Sequence, residues 1–197
     1  MEIKIVTSNN HKYDEIKRIL EQFDIKSVWI KYNPMEIQSE YIHEVVIYKA
    51  IDALTMIQPP FLVEDSALFI HSLGGFPGPY SSYIYNKIGN KGILKLLENT
   101  VNREAEFLCV IACCIQKNII KIFSGKVRGF ISHSEKGEFG FGFDPIFIPE
   151  GYQKTLAEMP IEKKNEVSHR GKAVKKLIKY LVSMESFNKD SYTFIKE

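Results

Sequence analysis

The sequence predicts an α/β fold, and three observations predict it. The chain opens as a strand, a polar turn and a helix. A second helical pattern leads into a short apolar strand. Two long apolar segments then flank a Lys117-Asn118 turn, as in a hairpin. Ile3-Lys4-Ile5-Val6 reads as the first strand, and Thr7-Ser8-Asn9-Asn10 follows at once. Asn9 and Asn10 are both suited to cap the helix that carries Tyr13, Ile16, Leu20 and Phe23 on one face. Residues 44–57 give the second helix, 61–64 a buried strand that stops at two acids, and 90–98 a third helix. "EFLCVIACCIQ" and "IIKIFSGKVRGFIS" are the hairpin strands, and "GEFGFGFDPIFIPEGY" reads as a Gly/Phe/Pro loop region. The last helix sets Val174, Leu177, Ile178 and Leu181 on an apolar face, with Lys172, Lys175, Lys176 and Lys179 on the wet one. At 197 residues the chain suits a single domain, expected over 1–183, with a weakly ordered tail over 184–197.

Composition narrows the function classes. A 45% hydrophobic and 25% charged chain is of ordinary globular type. The net charge of +2 is too small to indicate a nucleic-acid partner, and no apolar run approaches a membrane span. Cys109, Cys113 and Cys114 share one strand, where adjacent side chains face opposite ways. No CxxC and no second Cys/His cluster accompanies them, which argues against zinc. An odd cysteine count with no signal peptide points to a reducing cytosol, so the expected location is cytoplasmic.

Four stretches could carry chemistry. In the opening turn, Thr7, Asn9 and Lys12 stand at a strand end and a helix start, where free N–H groups and the helix dipole suit a phosphate; polar turns of this kind are also common without a ligand. Glu64 and Asp65, with Glu36 elsewhere, are hard oxygen ligands fit for Mg²⁺, or else a capping or solvated acid pair. In "FGFDPIF" the aromatics could stack a planar base or plug the core. In "KNEVSHRGKA", Lys164, His169 and Arg170 could converge as donors on a carbonyl oxygen, or be exposed polar residues, with Ser168 a helix cap.

In this order the stretches resemble the inosine triphosphate pyrophosphatase family. The resemblance rests on "TSNNHKYDE", matching the family's T-x-N-x-x-K-x-x-E, then "VEDSALFI", "GGFPGPYSS", "FGFDPIF" and "AEMPIEKKNEVSHRGKA". It runs from Thr7 to the last helix. Two positions depart from the family pattern: Ala67 stands where many members have glycine, and Phe143 where they have Tyr or Trp.

The resemblance implies an elongated two-lobed fold, a twisted mixed sheet flanked by helices with a nucleotide cleft between the lobes. It implies Mg²⁺-dependent hydrolysis of ITP, dITP and XTP to the monophosphate and pyrophosphate by a homodimer. Mapped onto this chain, the substrate-binding set is Thr7, Ser8, Asn9, Asn10, His11, Lys12, Lys49, Ser66, Phe141, Gly142, Phe143, Asp144, Lys164, Ser168, His169 and Arg170. Of these, Thr7, Asn9, Lys12 and Lys49 would bind the triphosphate, Phe141 would stack the base, and Lys164, His169 and Arg170 would donate to its 6-oxo edge. Glu36 and Asp65 would hold the metal, Asp65 and Lys12 would be catalytic, and Asp65 would accept the proton of the attacking water. Glu64 receives no role. The alternative reading is a Maf-type pyrophosphatase acting on modified or pyrimidine nucleotides, against which "SHRGKA" argues. A nucleic-acid-binding module is disfavoured by the low charge and by the acids of the site.

Overall fold

Strand β1 (Glu2–Val6), helix α1 (Asn10–Glu21) and strand β2 (Lys26–Ile30) make a β-α-β unit with β1 and β2 parallel. A computed structural model describes residues 2–117 and 119–193, of which 185–193 by backbone alone. Asn9 is the cap of α1: its side chain accepts from the Lys12 N–H. Phe23, expected on the buried face, lies beyond the helix end and is exposed. The chain turns there at Asp24, which has a positive φ of 57°, and Ile19 joins Ile16 and Leu20 in the core instead. β2 is not evident in the sequence, because "KSVWI" is a half-exposed edge strand without clean alternation.

Helix α2 (Ile42–Met56) leads to β3 (Phe61–Ile70), which corrects the sequence reading. The strand does not stop at the acids, and Glu64 and Asp65 lie in its middle. The pairing partner decides this, since β5 (Glu104–Gln116) runs antiparallel to β3 from Phe61↔Cys114 to Ile70↔Ala105. On the opposite edge of β3, β1 pairs only with Phe61 and Leu62, and the short β4 (Pro77–Gly78) only with Leu68 and Phe69. Among the described residues, the edge between Leu62 and Leu68 has no strand partner there, and side chains from other elements reach the acids from that side.

Helix α3 (Ser81–Leu96) starts well before the expected 90–98. It is broken at Gly89, whose φ of 61° and ψ of −166° are open essentially to glycine alone. The hairpin of β5 and β6 (Ile119–Ile131) forms as expected, although Asn118 of its turn lies outside the described residues. The Gly/Phe/Pro region is more ordered than a loop: a 3₁₀ turn over Asp144–Ile146 precedes β7 (Phe147–Pro149) on the edge of β6. Helices α4 (Ile161–Val167) and α5 (His169–Thr193) complete the fold. The weakly ordered tail expected over 184–197 lies, beyond the α5 backbone, outside the described residues.

The sheet is mixed, in the order β2-β1-β3-β5-β6-β7, with β4 on β3, and among the described residues five helices flank it. α1 and α5 cover one face, burying Ile5, Ile16, Cys109, Cys113 and Leu177. α2 covers the other with Val46, Phe61, Val63, Val110 and Cys114. Cys113 and Cys114 thus part to opposite cores, as strand alternation requires. Each buried Val, Leu, Ile or Phe among them stabilises the fold by about 1.5–3 kcal/mol on area grounds. A third core, with Leu68, Ile93, Ile146, Phe147 and Leu156, fills the far end. The start of α5 lies tight on β6 because residue 125 is glycine: a Cβ there would stand 2.1 Å from the His169 carbonyl oxygen. That close approach sets where His169 and Arg170 sit. Among the described residues no helix is long and apolar enough to cross a membrane.

Candidate active site

The β1–α1 turn builds one end of the site. The Thr7 hydroxyl accepts from the Asn9 N–H (3.1 Å) and Asn9 Oδ1 accepts from the Lys12 N–H (3.2 Å). The Asn10 and His11 N–H groups, at the first turn of α1, have no intrahelical acceptor and present the positive helix end. The Ser8 hydroxyl donates to Asn33 (3.3 Å), and the Trp29 indole holds the Thr7 carbonyl (2.7 Å).

The acids of β3 meet lysines from two helices across the open strand edge. Lys12 Nζ lies 3.0 Å from Glu64 and 3.1 Å from Asp65. Lys49, a buried residue of α2, reaches Glu36 at 2.6 Å and Asp65 at 3.4 Å. Burial opposes ionisation of Asp65, but Lys12 and Lys49 outweigh it and hold its carboxyl below the ordinary range. For Glu64 burial likewise opposes, and Arg170 and Lys12 prevail, drawing it down to about 2. Burial would weaken the Lys12 ammonium, yet Asp65 and Glu64 keep its pKa raised. Asp65, Glu64 and Lys12 are therefore all charged at neutral pH.

The other end is assembled from the 141–144 turn and the start of α5. The Asp144 carboxylate accepts from the Phe141 N–H (2.7 Å) and pairs with Lys164. Lys164 also pairs with Glu15 of α1, and Glu15 pairs in turn with Arg170. Arg170 continues to Glu64 (3.4 Å) and to the Ser66 hydroxyl (3.1 Å). Burial pushes Asp144 up against the pull of Lys164, whereas for Glu15 burial is outweighed by Arg170 and Lys164. Phe141 lies under these cations, its centroid 4.9 Å from Lys164 Nζ and 5.4 Å from the guanidinium carbon of Arg170, with the His11 ring stacked at 5.2 Å. The His169 ring stacks on Phe107 at 4.4 Å. Burial, then Arg170, Lys164 and Lys12, hold its pKa well below the usual value, so the imidazole is neutral. Among the described residues, two buried nitrogens here have no hydrogen-bond partner, His169 Nδ1 and Arg170 Nε.

A single cleft of about 550 Å³ joins the two ends. It is lined by Asn9, His11, Lys12, Asp65 and Ser66 on one side and by Phe141, Gly142, Phe143, Asp144, His169 and Arg170 on the other. Thr7, Ser8 and Asn10 belong to the same turn but are not among the residues that line the cleft. Lys49 and Glu36 approach Asp65 from α2 and the segment before it. Lys164 faces an adjoining hollow of about 440 Å³ that shares Gly140 and Phe141 with the cleft. Ser168 spends its hydroxyl on capping α5, accepting from the Gly171 N–H at 3.0 Å. A more open hollow of about 800 Å³ near Lys95, Asn99 and His133 holds none of the paired charges.

Sequence reasoning missed Glu15, the carboxylate that bridges Lys164 and Arg170, although it is the last residue of "TSNNHKYDE". It also missed the α3 wall of Ser81, Ser82, Tyr85 and Asn86. Tyr85 packs edge-on against Phe143 at 5.3 Å, and no sequence signal marks that contact. The donor set fits Mg²⁺: Glu36 and Asp65 are two hard carboxylates about one lysine, Glu36 half exposed, and such a set leaves positions for water and phosphate oxygens. Among the described residues no cluster of three or more His, Cys, Asp or Glu forms a closed metal cage.

The chain is similar to known proteins in sequence and fold. The model of the Ham1 family matches residues 3–180. A relative from Pyrococcus horikoshii named dITP/XTP pyrophosphatase is 48% identical, over 92% of this chain and 97% of its own length. One of the same name from Hyperthermus butylicus is 45% identical, over 91% and 94%. The solved structure of a HAM1 protein from Coxiella burnetii superposes with a TM-score of 0.81 at 32% identity, over 93% of this chain and 99% of that one.

Proposed function

The chain belongs to the Ham1 family, and from that premise we infer that it is an enzyme hydrolysing non-canonical purine nucleoside triphosphates, ITP, dITP and XTP, to the monophosphate and pyrophosphate. One observation carries this reading at the level of the site. The same cleft joins a turn, lysine and carboxylate end suited to phosphate to an end where two unpartnered nitrogens stand beside an aromatic ring.

At the phosphate end, the open N–H groups of Asn10 and His11 and the ammonium groups of Lys12 and Lys49 would bind the triphosphate. Glu36 and Asp65 would hold Mg²⁺, which when bound neutralises charge on the phosphate oxygens. Asp65, ionised and fixed by Ser66 N–H at 2.8 Å, accepts the proton of a water directed at the α-phosphorus. The new bond joins that water's oxygen to the α-phosphorus. The bond to the β-phosphate oxygen breaks, and pyrophosphate leaves with the electron pair. Lys12 and Lys49 balance the charge that develops, a contribution of the kind that dominates phosphoryl transfer.

At the base end, Phe141 would stack the purine while His169 and Arg170 donate to its 6-oxo group. Hypoxanthine and xanthine carry an acceptor there and adenine an amino donor. Donor facing donor leaves buried polar groups unpaired, which discriminates strongly against ATP. Family membership also supports a cytoplasmic homodimer with no nucleic-acid or membrane partner; light scattering reads the dimer directly.

The test is pyrophosphate release with Mg²⁺ from ITP, XTP, GTP, ATP and a pyrimidine triphosphate. Fast release from ITP and XTP with little from ATP is expected. Preference for the pyrimidine would favour the Maf-type alternative.

A further inference from the structure

Glu64 is the mid-strand acid to which sequence and mechanism have given no task, and its surroundings are specific. Its side chain is 1% exposed, so it is closed to water and to substrate. Both of its oxygens are taken. Oε1 receives Lys12 (3.0 Å) and Arg170 (3.4 Å), and Oε2 receives the Ser66 hydroxyl (3.1 Å) and the Cys109 thiol (3.3 Å). A carboxylate with four donors has little capacity left to ligate a metal or accept a further proton.

Lys12 and Arg170, which share Oε1, belong to opposite ends of the cleft. Lys12 adjoins Asp65 and the α1 turn, and Arg170 adjoins Phe141 and His169. Beyond them the charges alternate without a break. Asp65 and Lys49 follow Lys12, and Glu15, Lys164 and Asp144 follow Arg170 as far as the Phe141 N–H. In a dry interior each member of such a chain polarises the next.

We propose that Glu64 is a positioning residue that couples recognition of the base to the phosphate end by holding Lys12 and Arg170 on one carboxylate. This rests on the functional reading above. A 6-oxo base draws on the Arg170 guanidinium, so Arg170 holds Glu64 differently, and Glu64 in turn holds Lys12 differently beside Asp65. An adenine presents a donor, makes no such demand, and leaves the chain of charges at rest. Discrimination is then expressed in turnover as well as in binding.

The experiment measures kcat and KM for ITP and ATP in the wild-type enzyme, Glu64→Gln and Glu64→Asp. In the wild type the kcat ratio of ITP to ATP should be at least about tenfold. In Glu64→Gln that ratio should fall to within about threefold of unity while the KM ratio moves less than about threefold. Glu64→Asp keeps the buried charge but is too short to reach both partners, and it should lose the kcat ratio as well. Equal falls in kcat for the two substrates would show a merely structural Glu64 and overturn the proposal. So would a wild-type preference that lies wholly in KM, a result available even if neither variant folds. Failure of the wild type to release pyrophosphate from ITP would overturn the functional reading and this proposal with it; the other adverse results overturn the proposal alone.

Discussion

The two ends of the cleft are built from the same residue types and solve different problems. At the phosphate end the charges, Glu36 apart, belong to regular elements, β3, α1 and α2, and meet at an open strand edge. Lys12 keeps 16% of its side chain exposed and Glu36 keeps 50%. At the base end the charges fasten a turn to three helices, α1, α4 and α5, and Glu15, Lys164 and Arg170 are each 2–4% exposed. A charge that water can still reach tolerates loss of its partner, whereas a dry one does not. The lesson is that the phosphate end can change its chemistry without changing its shape, while at the base end recognition and folding rest on the same ion pairs.

Single substitutions should separate the two ends. Asp65→Asn, at the phosphate end, should lower kcat about 10²–10⁴-fold with the fold retained. Near-normal turnover of ITP would remove Asp65 from the mechanism. Lys164→Met, at the base end, leaves the Glu15 and Asp144 carboxylates short of a buried partner and should cost about 3–5 kcal/mol in denaturant unfolding. A loss below about 1 kcal/mol would mean that this network is wetter than its burial indicates.

The acid limb of stability sharpens the contrast, because Glu64 joins both ends. Its pKa is about 2 in the fold, against an ordinary 4.5. A depressed folded value stabilises the protein above the unfolded pKa, and that stability is lost as pH falls from about 4.5 toward 2. The stability gap between wild type and Glu64→Gln should therefore close by on the order of 3 kcal/mol over that window. A gap independent of pH would contradict the ionised, paired Glu64. The smallest effect belongs to the half-buried Phe141. Phe141→Leu should raise KM for ITP about tenfold through lost stacking, with kcat nearly unchanged. An unaltered KM would remove the ring from base binding.

How much of this was legible in the sequence follows the same division. The α1 cap, the long hairpin and the amphipathic α5 were readable, because a capping Asn and an apolar period are local signals. The true length of β3 was not. Glu64, Asp65 and Ser66 interrupt its apolar run, and only the register with β5 carries it on to Ile70. The front half of α3 was hidden because Tyr83 is 62% exposed and Tyr85 37%, which gives it no clean apolar stripe. At the site, Lys12 and Asp65 are marked by a strand end and an acidic pair. Glu15 reads as one more acid on a helix, since its partners Lys164 and Arg170 lie about 150 residues away and meet it only after the helices have packed.

The most direct test of the central claim, attack at the phosphate end on the α-phosphorus, is hydrolysis of ITP in ¹⁸O-labelled water with mass analysis of both products. Label in the inosine monophosphate, with unlabelled pyrophosphate, is the predicted result. Label in the pyrophosphate, or release of orthophosphate, would contradict the account.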